Sequence, residues 1–385
     1  MQRILYVANC IPFEHGGGSQ ATTAYLDAVL DIFGRNRVDV MVSDKTVVPS
    51  SYKDVNFIRI SQRSKWMSRV GFLIGKMGRF VDPAYKLLKT NKDTYSHCIF
   101  NCGRESGWLA YKLRSSKIKI VTIHHNQEVE YCMDNKTLDT LYGHWPYTVR
   151  FVESRAYRYS DLNMFLTQQD MNAFESQYGE CKGFNYVIGT FDFKDAEKIN
   201  VKNKEKGYDI VISGSLNNYQ TIHGVIDFYN RYFDIAREVI PNLCVLLTGR
   251  SPSEEIYDMA NLHPDIFTIV PSPYDIQAEV RRGHIYLCPT DIGGGLKLRV
   301  MDGLKNGLPV LVHEISARGY DPFFQRPYFS VYCDEDSFRN GLKQILYFIS
   351  HNPHCAALIN SDYYNYFGYE KGTERFKRAL NLLVK

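Results

Sequence analysis

The sequence predicts an α/β protein made of two doubly wound parallel sheets. Short apolar runs rich in β-branched and aromatic residues recur along the chain, each followed by a polar turn and a helix-length segment. The runs are almost continuously apolar rather than alternating, as strands covered by helices on both faces require. The rhythm occurs twice within 385 residues, a length that calls for about two domains.

In the first half the strands are expected at RILYVAN (3–9), VDVMVSD (38–44), VNFIRI (55–60), HCIFNC (97–102), KIVTIHH (119–125) and LNMFLTQ (162–168). The second series is YDIVISGS (208–215), LCVLLTG (243–249), IFTIVPS (266–272), HIYLCPT (284–290) and GLPVLVH (307–313). Between them KDAEKINVKNKEKG (194–207) has no apolar periodicity. It marks a boundary between a domain over 1–193 and a second over 194–359. The end of the chain, ERFKRALNLLVK (374–385), has the spacing of an amphipathic helix, and 360–385 is available to pack back on the first domain. Open α/β sheets bind ligands at the carboxyl ends of their strands, around the point where strand order reverses. With two sheets, the cleft between domains is the expected site.

Hydrophobic residues are 44% and charged residues 23% of the chain, a balance that excludes disorder, collagen-like fibre and a membrane-embedded bundle. The 46 Lys and Arg against 42 acidic residues leave a net charge of +4, too little to announce nucleic acid. The nine cysteines are odd in number and scattered, without a C-x-x-C pair. Cys244 and Cys288 fall inside apolar runs, where Cys acts as a small buried hydrophobe. A reducing cytoplasm fits. Residues 1–13 are too short an apolar run for a signal peptide, and no window of ~18 uncharged apolar residues exists to span a bilayer. A cytoplasmic protein is expected, soluble or peripheral at the inner face of a membrane.

Two glycine loops are placed for anion chemistry. In IPFEHGGGSQATTAYL, Gly16, Gly17 and Gly18 follow the first strand and precede a helix. Glycine lets backbone N–H groups approach an anion, and a helix N-terminus adds partial positive charge. The spacing lacks G-x-G-x-x-G, so a plain strand-to-helix turn is the alternative reading. The second loop lies in CPTDIGGGLKLRVMDGLKNGLPVLVHE (288–314). Gly293, Gly294 and Gly295 follow a strand, and a helix is expected to begin near Leu296. Lys297 and Arg299 then fall in its first turn, where cations oppose the macrodipole unless they face a bound anion such as a diphosphate. Asp302, five residues after Lys297, is placed to accept bonds from sugar hydroxyls. Asn306-Gly307 forms the helix stop.

Residues 288–314 resemble the donor-binding motif of GT-B retaining glycosyltransferases of the family-four (group 1) type. The pattern is a strand, P-x-x-x-G-x-G-[IL]-K, and a helix with an acidic residue before G-x-P-V. IPFEHGGGSQATTAYL resembles the family's amino-terminal glycine loop, and KIVTIHHNQE its T-x-H strand end. ESRAYRYSDLNMFLTQQDMNAFESQYG (153–179) is similar to the segment before the linker, and DIVISGSLNNYQTIHGVIDF (209–228) to the opening of the second domain. The resemblance implies a GT-B fold, two Rossmann-like domains facing across a cleft. It further implies a nucleotide-sugar co-substrate with no metal or other cofactor. Gly16 and Gly17 would face the donor diphosphate or the acceptor. His124, at the T-x-H position, would lie under the transferred sugar and support developing positive charge with its carbonyl or ring. Lys297 would bind the donor phosphates, with Arg299 second. Leu296 and the three glycines before it would line the donor, and Asp302 would hold the ribose. Gly214 and Gly249 would let the nucleotide approach, and Tyr274, in the 271–274 loop, would meet the base through backbone atoms. The chain departs from the family in three places. Gly294 stands where a first glutamate is common, and Asp302 replaces the second. GSLNNYQTIHG lacks the Arg and Lys that follow the second domain's first strand, so Lys297 and Arg299 must carry more of the phosphate charge.

His124 and His125 end a strand, so their side chains point to opposite faces, and one can reach the cleft while the other packs. The D-x-D in Cys333-Asp334-Glu335-Asp336 is read as a helix cap rather than a metal site. Residues 61–92 hold eight Lys or Arg and one acid, Asp82, interleaved with Trp66, Met67, Val70, Phe72, Leu73, Ile74, Met77 and Phe80. A basic helix with an aromatic and aliphatic face suits an anionic membrane surface; packing on the first sheet with solvated lysines is the alternative.

The expected function is transfer of a sugar from a nucleotide-sugar, a UDP-sugar, to an acceptor hydroxyl with retention, in cell-surface polysaccharide or glycoconjugate assembly. The acceptor would be a saccharide, lipid-linked or on a protein. Electrostatic stabilisation of the leaving diphosphate would drive it. The alternative is a non-catalytic GT-B subunit that binds a partner enzyme or a glycan acceptor. A nucleotide-sugar epimerase on the same fold would need acid and base carboxylates that the sequence does not single out.

Overall fold

Two all-parallel sheets, of seven and six strands, organise the chain. The computed structural model describes residues 2–8, 11–13, 17–130, 146–201 and 207–384. It divides into two units, Met1–Ala196 with Phe367–Lys385, and Glu197–Tyr366.

Unit 1 runs β1 (Arg3–Val7), α1 (Gly17–Phe33), β2 (Val38–Ser43), β3 (Asn56–Ile60), α2 (Lys65–Leu73), α3 (Val81–Thr90), β4 (Tyr95–Phe100), α4 (Gly103–Leu113), β5 (Lys119–His124), α5 (Pro146–Tyr159), β6 (Leu162–Phe165), α6 (Gln168–Tyr178) and β7 (Phe184–Val187). The strand order β3-β2-β1-β4-β5-β6-β7 reverses direction between β1 and β4. Leu5, Val7, Phe100 and Ile120 of the sheet pack with Leu88 of α3 and Leu109 of α4, all buried. Every residue of β2 is buried, so it reads as a largely apolar run in which the one charged residue, Asp39, is held by Arg3 and Tyr95.

Unit 2 runs β8 (Tyr208–Ser215), α7 (Tyr219–Asp227), a π-helical turn, α8 (Phe233–Val239), β9 (Val245–Arg250), α9 (Glu254–Asn261), β10 (Phe267–Pro271), α10 (Ile276–Val280), β11 (Gly283–Cys288), α11 (Arg299–Lys305), β12 (Val310–His313), β13 (Phe329–Tyr332), α12 (Glu335–His351) and α13 (Cys355–Phe367). Its order β10-β9-β8-β11-β12-β13 reverses between β8 and β11. Ile210, Ile212, Leu247, Ile285 and Leu287 form its core with Phe228, Ile256 and Phe338 of the covering helices. The last helix, α14 (Tyr369–Asn381), belongs to unit 1. Its Phe376 stacks on Tyr25, and its Arg375 Nε donates to the Ile188 carbonyl at 2.8 Å.

Several expectations change. β7 and β13 were not among the expected strands; both are four residues long and sit at sheet edges, where one partner suffices and no long apolar run is needed. The 61–92 segment forms two helices rather than one, parted by Gly75 and Gly78 at φ 70 and 86. Cys244 lies just before β9, half-buried, with its thiol on the Asn242 carbonyl, whereas Cys288 is buried as expected. Among the described residues no helix is long and apolar enough to cross a membrane.

Candidate functional site

The reversal between β8 and β11 brings the end of β8, at Gly214 and Ser215, and the end of β11, at Cys288, to the carboxyl edge of unit 2 on neighbouring strands. Asn218 caps α7 by accepting the Gln220 N–H at 3.0 Å, so Gln220 and Thr221 stand in the first turn of the helix that leaves the switch point. Opposite them runs the loop 289–298. Lys297 is buried, and its Nζ donates to Gln220 Oε1 at 3.2 Å and to the Gly294 carbonyl at 3.1 Å. Gly293 has φ 87, a backbone conformation that favours glycine, and a Cβ there would have to displace the Gln220 amide. Gly295 is likewise buried, and Leu296 is half-buried.

The helix after this loop starts at Arg299, with Leu298 as its cap, and not near Leu296. Lys297 therefore precedes the helix, and the expected conflict with the macrodipole does not apply to it. Arg299 is the one cation in the first turn. Its Nη1 donates to Thr221 Oγ1 at 2.7 Å and Thr290 Oγ1 at 3.3 Å, and its guanidinium lies against Gly214. This side chain ties α7 to the end of β11. Asp302 also falls in the first turn and accepts from Gln277 Nε2 at 2.9 Å. Asn306 closes the helix, followed by Gly307 at φ 70. Gly249 pairs with Gly214 at the ends of β9 and β8 and accepts the Ser272 N–H at 2.7 Å, which ties down the 271–274 loop. From that loop the Tyr274 side chain stands fully in solvent.

In unit 1, Gly16 lies outside the described residues, and Gly17 opens α1. The His124 ring turns into the core. It stacks on Phe165 at 5.0 Å, meets Phe174 at 4.6 Å and shares a 3.0 Å hydrogen bond with Asn163. Burial lowers its pKa to about 4, so it is neutral at pH 7. The ring is thus enclosed by packing. His125 points the other way, bonding Asn101 Oδ1 at 2.6 Å, and Asn101 in turn donates to Thr22 Oγ1 at 2.6 Å.

Beside these strand ends sits a buried acid that carries no sequence signature. Glu153 of α5 accepts the Glu128 N–H at 2.6 Å and the Tyr178 hydroxyl at 2.7 Å. Burial, with a smaller contribution from Glu128, raises its pKa from 4.5 to about 8. The native state therefore holds this proton when the unfolded chain has lost it. Its stabilisation is complete below pH ~4.5 and declines as pH rises to about 8. Glu153→Gln keeps an acceptor for the Glu128 N–H and removes the titration. In thermal melts from pH 5 to 9, about the span of this titration, the variant is expected to gain on the wild type as pH rises. Parallel curves would contradict the assignment.

Four further residues were missed. Gln220, Thr221 and Gln277 are uncharged and carry no pattern, although the Asn218 cap signal could have located the first two. His223 binds Asp291 at 2.8 Å, adding a second bond between α7 and the glycine loop. The D-x-D reading agrees with the structure: Asp334 accepts the Ser337 N–H at 2.8 Å in a capping box.

No protein-family profile matches the sequence, and no curated protein matches it. Solved structures do. HepE of Anabaena in complex with UDP-glucose is 12% identical, with 99% of this chain and 100% of that one covered at a TM-score of 0.62. A sucrose-phosphate synthase of Thermosynechococcus elongatus is 15% identical, covering 100% and 99% at 0.67. The lipopolysaccharide outer core galactosyltransferase WaaB is 10% identical, covering 99% of each chain at 0.68. At these identities the likeness is one of fold. With its two parallel sheets flanked by helices, the chain has the fold of the GT-B glycosyltransferases.

Proposed function

We propose that this chain is a glycosyltransferase that moves a sugar from a UDP-sugar to an acceptor hydroxyl with retention of anomeric configuration. The observation that carries the reading is the buried Lys297 ammonium, held on Gln220 and Gly294 in a glycine loop at the switch point of unit 2. Two of its acceptors are a neutral amide and a backbone carbonyl. Diphosphate oxygens offer it stronger, charge-assisted bonds. In the reaction the bond from the anomeric carbon to the phosphate oxygen breaks and one to the acceptor oxygen forms. Nucleoside diphosphate and a proton are released. Lys297 stabilises the charge that grows on the departing phosphate, and Arg299 holds α7 and Thr290 in register around it. Asp302, already oriented by Gln277, receives the ribose hydroxyls. Unit 1 would offer the acceptor site at the ends of β1, β4 and β5, with His125, Asn101 and the His124 carbonyl. The acceptor is a saccharide of a cell-surface polysaccharide or glycoconjugate. No divalent metal is required in this scheme, because Lys297 supplies the charge.

The test is UDP release from UDP-glucose, UDP-galactose and UDP-N-acetylglucosamine, with and without saccharide acceptors and chelator. One donor is expected to be consumed, slowly by water alone and faster with an acceptor, at a rate the chelator leaves unchanged. Binding of UDP without consumption of any donor would instead support a non-catalytic subunit.

A further inference from the structure

We propose that α2 is a membrane-docking element that lays an apolar stripe into the interface of an anionic bilayer. Trp66, Met67, Val70, Leu73 and Ile74 are all exposed, with Trp66 at 73% and Leu73 at 62%. At 3.6 residues per turn these positions fall on one face of the helix. The opposite face holds Phe72, buried with Met77 against Val149 and Val152 of unit 1. The helix is therefore already anchored, and the outward stripe is surplus to the fold. It continues across Gly75 onto Phe151 of α5, 46% exposed, whose ring edge would lie 3.0 Å from a Cβ at that glycine.

Charge names the occupant. Asp82, the single acid of 61–92, is engaged by Arg63 at 2.5 Å and by Lys76. Arg69, Lys86, Lys89 and Lys92 remain exposed, with no other acid in the segment to offset them. Arg69 flanks the stripe on α2 itself. The next helix, α3, behaves differently: Val81, Ala84 and Leu88 are buried and its lysines are solvated. Of these two helices, α2 is the one that presents large apolar side chains outward beside a cation. A tryptophan and aliphatic stripe bordered by Lys and Arg matches the boundary of acyl chains and anionic headgroups. A water-facing protein surface rarely leaves so many large apolar groups together.

The test is flotation of the protein with vesicles of phosphatidylcholine alone, or containing about one-third phosphatidylglycerol. The wild type is expected to float with the anionic vesicles, and less so as salt screens the cations. Trp66→Ser combined with Leu73→Ser should lower the partition coefficient at least about tenfold. Its melting temperature should stay unchanged, because both side chains are exposed. Arg69→Glu, which reverses the charge beside the stripe on α2, should lower the preference for anionic lipid. Failure of the wild type to float, or equal flotation of wild type and variants, would overturn the proposal. So would a dimer in sedimentation that Trp66→Ser disrupts without any vesicle binding.

Discussion

Lys297→Ala is expected to weaken UDP binding by about a hundredfold while leaving unit 2 folded. A charge-assisted bond to phosphate contributes ~1.5–3 kcal/mol, and a buried ammonium with more than one phosphate oxygen in reach lies at the upper end. The substitution removes a side chain that bonds one amide and one carbonyl in the loop and interrupts no backbone hydrogen bond of β8 or β11. Arg299→Ala is the useful contrast. It removes the link between Thr221 and Thr290, so its melting temperature should fall together with its affinity. Turnover should separate the two roles further. If Lys297 stabilises charge that develops on the leaving group, its loss lowers kcat as well as raising KM. An affinity within about twofold of wild type for Lys297→Ala, measured calorimetrically with UDP, would remove the phosphate role assigned to it.

Gly249→Ala should be the most damaging small substitution in unit 2, costing about 3–5 kcal/mol. Gly249 has φ 144, a conformation that side chains avoid, and its Cβ would overlap the Gly214 carbonyl oxygen on the paired strand. Neither strand can yield without breaking the β8–β9 register. Gly214→Ala meets instead the flexible end of Arg299, 3.2 Å from the added Cβ, and at φ 147 it carries backbone strain without a backbone collision. Chemical denaturation of the pair is expected to rank Gly249→Ala well below Gly214→Ala in stability. The reverse order would show that the strand ends are not packed as described.

The central strands were legible because both of their faces are covered, so VDVMVS and RILYV are mostly apolar, their exceptions being Asp39 and Ser43 in the first and Arg3, which pairs with Asp39, in the second. β7 and β13 were not, because an edge strand of four residues places little demand on composition. The glycine loop was legible for a related reason: at Gly293 the backbone has φ 87 and a Cβ would run into the Gln220 and Lys297 side chains, which favours glycine. The start of α11 was misplaced, since Leu296 and Lys297 are compatible with a helix and only the turn at Gly295 and the cap at Leu298 delay it. His124 and His125 were correctly placed on opposite faces by the period of a strand, but the sequence does not say which face Phe165 and Phe174 fill. Gln220 escaped because an amide facing a lysine has no charge to reveal it. Glu153 escaped because burial, which sets its behaviour, is a property of the fold rather than of its neighbours in sequence.

Whether unit 2 holds a nucleoside diphosphate at the loop 289–298 is tested most directly by calorimetric titration of the purified protein with UDP, alongside GDP, ADP and CMP. Saturable one-to-one binding of UDP that survives chelator and is lost in Lys297→Ala is the predicted result. Absence of binding by all four nucleotides to the wild type would contradict the account.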